Sequence, residues 1–172
     1  MTENTPIKPI KKIMVPLAFS PFSQGIVDYA VMLAKAVNAE KLIFVSVINQ
    51  RDVDAVDTIT AFGYEVDGDQ YVKDIEQSRV TALDEMLKDV DFDRERMKLI
   101  ITVGKPANKL LKYAVREEVD MMVMGVKAKG DLIHALTGSI AEKLFRRSPI
   151  TVVSYREPSI ANKLRKRITD KL

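Results

Sequence analysis

Five short runs of apolar, largely β-branched residues, separated by stretches with helical spacing, constrain this chain more than any other feature. They cover residues 10–17, 41–48, 98–103, 119–124 and 150–155, and each is bounded by glycine, proline or charge, as strands are. Leu42-Ile43-Phe44-Val45 and Met121-Met122-Val123-Met124 are continuously apolar, which suits strands covered on both faces. The methionines therefore read as core rather than as ligands.

Four helical patterns lie between the strands. Ser20-Pro21 reads as an N-cap and first helical residue, with Ile26, Ala30, Leu33, Ala34 and Val37 following on one face. Val72, Ile75, Val80, Leu83, Met86, Leu87 and Val90 give a second stripe. Pro106 opens a third, with Leu110, Leu111, Ala114 and Val115, and a fourth begins near Ser139 with Ala141, Leu144 and Phe145. Strict strand-helix alternation implies an open, parallel α/β sheet with helices on both faces, because right-handed crossovers return each helix to the sheet.

Two segments fall outside this rhythm. Residues 49–70 carry Asp52, Asp54, Asp57, Glu65, Asp67 and Asp69 around Gly63 and Gly68. They read as a solvated loop with a short helix, or as a flap over a nearby site. The tail repeats Ile160, Leu164, Ile168 and Leu172 at four-residue steps with basic residues between. This thin amphipathic helix is suited to docking on the body or on a second subunit, the alternative being an anionic surface. The expected division is a tail over residues 1–9, one domain over 10–155 and the basic helical tail over 156–172.

At 172 residues and 47% hydrophobic content the chain can bury one sizeable core. No apolar run approaches the roughly 20 residues that span a bilayer, and the N-terminus has no apolar signal core, so the expectation is a soluble, cytoplasmic protein. Absence of cysteine excludes disulfides and thiolate metal sites. Residues 156–172 hold six basic and two acidic side chains, a net +4 within a chain of +3, which leaves the rest at −1. A near-neutral body argues against nucleic acid spread over the fold.

The chemistry concentrates where Met124-Gly125-Val126-Lys127-Ala128-Lys129-Gly130 leads, through residues 131–137, to Gly138-Ser139-Ile140-Ala141-Glu142. A strand, a small-residue loop and a helix start suit an anion at the helix N-terminus, beyond the carboxyl end of a strand. Ser139-Ile140-Ala141-Glu142 is equally a capping box that satisfies the backbone donors without a ligand. His134, the only histidine, has neither an orienting acid nor an oxyanion hole in view. An enzyme therefore has little support beyond slow hydrolysis of a phosphate compound held at the helix start.

Gly125 followed by Gly138-Ser139 resembles the C-terminal signature of the universal stress protein family, Gly-x2-Gly-x9-Gly-(Ser/Thr). Lys12-Ile13-Met14-Val15-Pro16 with Phe19-Ser20 resembles the family's first strand and turn, Phe44-Val45-Ser46-Val47 its second strand, and Val103-Gly104-Lys105-Pro106 the turn after its third. The resemblance covers residues 10–155. It implies a Rossmann-like sheet of strand order 3-2-1-4-5, a homodimer through strand 150–155, and ATP or AMP in the crevice at the carboxyl ends of strands one and four. The site residues it implies are Pro16, Leu17, Ala18, Val47, Met124, Gly125, Lys127, Ala128, Gly130, Gly138, Ser139 and Ile140, with Val47 along the adenine, Gly125, Gly138 and Ser139 on the phosphates, and Mg on Ser139 through phosphate. Two positions depart from the family pattern: its aspartate after strand one is Ala18, and its middle signature glycine is Ala128. A nucleotide-dependent stress sensor or switch with an unidentified protein partner is one implied role; a nucleotide-free dimeric interaction module is the other.

Overall fold

The computed structural model describes residues 8–62, 67–125 and 140–170. Five parallel strands form one sheet in the order β3-β2-β1-β4-β5, as expected. The strands are β1 (Lys12–Pro16), β2 (Lys41–Asn49), β3 (Met97–Gly104), β4 (Met121–Gly125) and β5 (Thr151–Tyr155). Between and after them run helices α1 (Ser23–Ala36), α2 (Gln50–Ala61), α3 (Gly68–Met86), α4 (Pro106–Arg116), α5 (Ile140–Arg147) and α6 (Pro158–Thr169). The register sets Ile13 beside both Leu42 and Met121, so β1 is the central strand.

Side-chain alternation sends neighbouring residues to opposite faces, and both faces are covered. Ile13, Val15, Leu42, Phe44 and Val123 pack with Val27 and Ala30 of α1 and Leu83 of α3. Met14, Ile43, Val45, Met122 and Met124 pack with Leu110 and Ala114 of α4 and Leu144 of α5. The continuous apolar runs are thus strands buried on both sides, and the methionines are core.

Three local readings change. Helix α1 starts at Ser23 rather than at Pro21, because Ser20 and Ser23 close a turn on each other: Ser20 N donates to Ser23 Oγ and Ser23 N to Ser20 O, each at 2.9 Å. The helix also buries Val27 and Val31. Val115 of α4 and Phe145 of α5 are exposed, so those stripes are narrower than the spacing suggests. Most of the acidic excursion is helix: Asn49 Oδ1 accepts from Arg51 N to start α2, and Asp67 Oδ1 accepts from Asp69 N at 2.8 Å to start α3. Helix α2 buries no residue, so no apolar stripe announces it.

Candidate functional site

Strand order reverses between β1 and β4, since β1 pairs with β2 on one side and β4 on the other. In an open α/β sheet such a switch point leaves a crevice beyond the carboxyl ends of the two strands. Here it is walled by Pro16 at the end of β1, Ala18 just after it, Gly125 at the end of β4 and Tyr155 at the end of β5. Ile160, at the start of α6, is buried against this wall. The cavity among the described residues measures about 60 Å³, room for water and far short of the 300 Å³ or more typical of a small-molecule pocket. A wider groove of about 480 Å³ lies between α3 and β3. Its rim charges are already paired, Arg94 with Asp84 at 3.5 Å and Lys98 with Glu117 at 2.6 Å, which leaves it little to orient a polar ligand.

The expected site residues divide into four groups. Pro16, Ala18 and Gly125 meet at the crevice. Leu17 and Met124 turn their side chains into the core. Leu17 N donates to Val45 O, and its carbonyl accepts from Ser46 Oγ, each at 2.9 Å; Val47 is half-buried against the α4 side of the sheet, and Ile140 is 46% exposed at the first residue of α5. Lys127, Ala128, Gly130, Gly138 and Ser139, with His134, lie outside the described residues. Among the described residues no cluster of three or more His, Cys, Asp or Glu side chains could hold a metal.

Gly125 has a packing reason of its own. A Cβ there would collide with Ile26 of α1, so glycine lets the helix approach the strand end. Gly25 does the same for Tyr155, whose hydroxyl would lie 2.7 Å from an added Cβ. Tyr155 also packs on Tyr29, ring centroids 5.2 Å apart. Burial above all, then the charges of Glu157 and Asp28, pushes its hydroxyl pKa up, so it stays protonated near neutrality. Glu157 caps α6 by accepting from Ser159 N at 2.9 Å and Ile160 N at 3.3 Å. Its hydrogen bond from the Ser159 hydroxyl does most to hold its pKa down, against the effect of burial. Tyr155 and Gly25 were missed because their contact is tertiary and has no local spacing; Glu157 is a local cap, signalled only by its place before Pro158 at the head of α6.

Arg79 was missed as well. Its Nη1 donates to Ser46 Oγ at 2.9 Å, and the guanidinium lies 5.9 Å from the centre of the Phe19 ring. Phe19 has φ 49°, a left-handed conformation that costs a bulky residue energy. The ring contact and the Ser46–Leu17 hydrogen bond brace the turn in which Ala18 stands.

A doubly wound parallel sheet with a switch-point crevice defines a class of ligand-binding α/β domains. Residues 9–156 match the universal stress protein family, and the chain belongs to that family. It is 28% identical over 156 residues to universal stress protein MJ0577 of Methanocaldococcus jannaschii, covering 83% of this chain and 94% of that one. The solved structure of MJ0577 superimposes with a TM-score of 0.64 at 26% identity, covering 87% and 98% of the two chains. A universal stress protein in complex with cAMP shares the fold with a TM-score of 0.58 at 22% identity, covering 87% and 98%. The universal stress protein of Archaeoglobus fulgidus in complex with dAMP has a TM-score of 0.58 at 12% identity, covering 87% and 100%.

Proposed function

We propose that this chain is a dimeric stress-response protein that binds an adenine nucleotide, ATP or AMP, between the carboxyl ends of β1 and β4 and acts as a sensor or switch. The observation that carries the reading is the switch-point crevice, lined by both Ala18 and Gly125 at the head of a sequence that continues to Gly138-Ser139. Two proteins of the same fold are known in complex with cAMP and with dAMP. In this reading the domain over residues 10–155 holds the ligand, β5 pairs with its copy in the partner, and α6 is an added element. The alternative is a nucleotide-free interaction module, favoured by the small described cavity and by the missing carboxylate at Ala18.

Calorimetry with ATP and AMP, together with chromatography of nucleotide released by acid from the purified protein, separates the two. The decisive variant is Ser139→Asp. A carboxylate is a good helix cap, so stability holds, but it sets negative charge where phosphate must lie. Binding to wild type that is lost in a stable Ser139→Asp supports the nucleotide reading. A variant that binds ATP as well as wild type moves the phosphates elsewhere, and absence of any nucleotide binding by wild type favours the interaction module.

A further inference from the structure

Helix α6 stands in the crevice that the nucleotide reading assigns to the ligand. The cavity lined by Pro16, Ala18 and Gly125, three of the expected ligand contacts, is lined as well by Tyr155, Glu157 and Ile160. Ile160, 8% exposed there, is the residue by which α6 docks. Among the described residues the cavity measures about 60 Å³, whereas a pocket for a small molecule needs about 300 Å³ or more. The Glu157 carboxylate on the same wall adds negative charge, so the docked helix disfavours an anionic ligand by charge as well as by bulk. The family fold does not demand this helix, because the match to the family ends at residue 156 and α6 spans Pro158–Thr169.

The hold on the body is slight and local. Leu164 is half-buried and Ile168 is 62% exposed, so the apolar stripe loses contact with the body turn by turn after Ile160. A helix of 12 residues is marginal on its own. It carries Lys163, Arg165, Lys166 and Arg167 and no acidic residue between Pro158 and Thr169. Lys163 stands three residues from Lys166 and four from Arg167, spacings at which like charges repel on a helix surface. Such a helix depends on its anchor, and with few buried contacts it belongs to the part of a structure that opens first. We infer that α6 is an autoinhibitory plug: docked through Ile160 it closes the crevice, and a nucleotide enters as the helix lifts away. The inference rests on the nucleotide reading above and adds the regulation of that site. Docked helix and bound nucleotide compete for one space, so the measured association constant is that of the open crevice multiplied by the fraction of molecules with α6 lifted.

Amide hydrogen exchange and calorimetry on the full chain, with ATP and AMP as probes, test this. Saturating nucleotide should speed exchange along α6 several-fold in wild type. Bound nucleotide that leaves α6 exchange unchanged overturns the inference, and so does slower exchange, the signature of a clamp on the ligand. Ile160→Ala removes the anchor and should tighten ATP and AMP about tenfold. Ile168→Ala, at an exposed position of the same helix, should leave both affinities within about twofold. Unchanged or weaker binding in a folded Ile160→Ala also overturns the inference. Thermal melts report on the fold of each variant, and exchange in wild type decides if Ile160→Ala does not fold. If wild type binds nucleotide with α6 still protected, the plug fails and the nucleotide reading stands; if neither wild type nor a folded Ile160→Ala binds ATP or AMP, both fail.

Discussion

Asp120, in the turn before β4, offers the sharpest test of how the sheet is held together at the end opposite the crevice. Its side chain is 8% exposed, and Oδ2 accepts from the backbone N–H groups of Lys11 and Lys12, each at 2.9 Å, while Oδ1 lies 2.6 Å from Lys8 Nζ. One carboxylate thus fastens the start of the central strand to its neighbour across 108 residues of sequence. Hydrogen bonds to a charged group contribute about 1.5–3 kcal/mol each. The two amides share one oxygen and are only partly buried, so about 2–3 kcal/mol for the pair is the scale expected. Lys8, 72% exposed, adds at most about 1 kcal/mol. Asp120→Ala should therefore lower Tm by about 4–12 °C, at 2–4 °C per kcal/mol for a chain of this size. Asp120→Asn keeps an acceptor and should cost about half as much.

The pH dependence gives the sign. Burial, the largest single influence, raises the Asp120 pKa, but the bonds from Lys8, Lys12 and Lys11 together outweigh it and hold the carboxyl below its ordinary value. A depressed carboxyl pKa means stability that is present above the unfolded-state value and lost as pH falls through the folded-state value. The gap between wild type and Asp120→Asn should be flat from about pH 6 to 8 and shrink below about pH 4. Urea titrations at several pH values measure it. A cost for Asp120→Ala below about 0.5 kcal/mol at pH 7, or a gap to Asn unchanged at pH 3, would refute the reasoning.

Gly125→Ala should destabilise the fold by about 1–3 kcal/mol, the cost of overpacking, and Ile26→Ala in the same chain should recover part of it; urea titration of the single and double variants reads this directly. Leu144→Ala, at a fully buried position of α5, should cost about 2–5 kcal/mol, and a cost under 1 kcal/mol would mean that α5 is not docked as described. Val152→Pro removes a ladder donor from the edge strand β5 and should shift the protein to monomer in light scattering; a wild type that is already monomeric at micromolar concentration rejects pairing through β5.

The elements legible in the sequence were those whose burial is regular. β2 and β4 sit under helices on both faces, so their apolar runs are continuous and mark them directly. Helix α4 was legible from Pro106 and the buried Leu110 and Ala114. Helix α2 was legible only as a short helix without bounds, because its stability comes from local polar bonds: Gln50 Nε2 to Asp54 at 2.9 Å and Thr58 Oγ1 to Asp54 O at 2.7 Å. Those pairings leave no hydrophobic period to read. The start of α1 was misplaced because Ser20-Pro21 has the composition of a cap, yet Ser23 turns inward to close the turn. Of the site, Ala18 and Gly125 were legible as family positions. Arg79 lies 33 residues from the serine it binds, within a helix whose other charges face solvent, and only the tertiary fold singles it out.

Gly125 and Ala18 show why a family signature and a ligand are separate inferences. A Cβ at position 125 would press on the Ile26 side chain whether or not a phosphate binds, so glycine there has a packing reason of its own and adds little to the case for nucleotide. Alanine at 18 leaves the exposed position after β1 without an acceptor, which removes one reason to expect a nucleotide there. The turn around it is held by the protein's own contacts, Arg79 Nη1 to Ser46 Oγ and the guanidinium over the Phe19 ring, so its shape is no evidence for a ligand either.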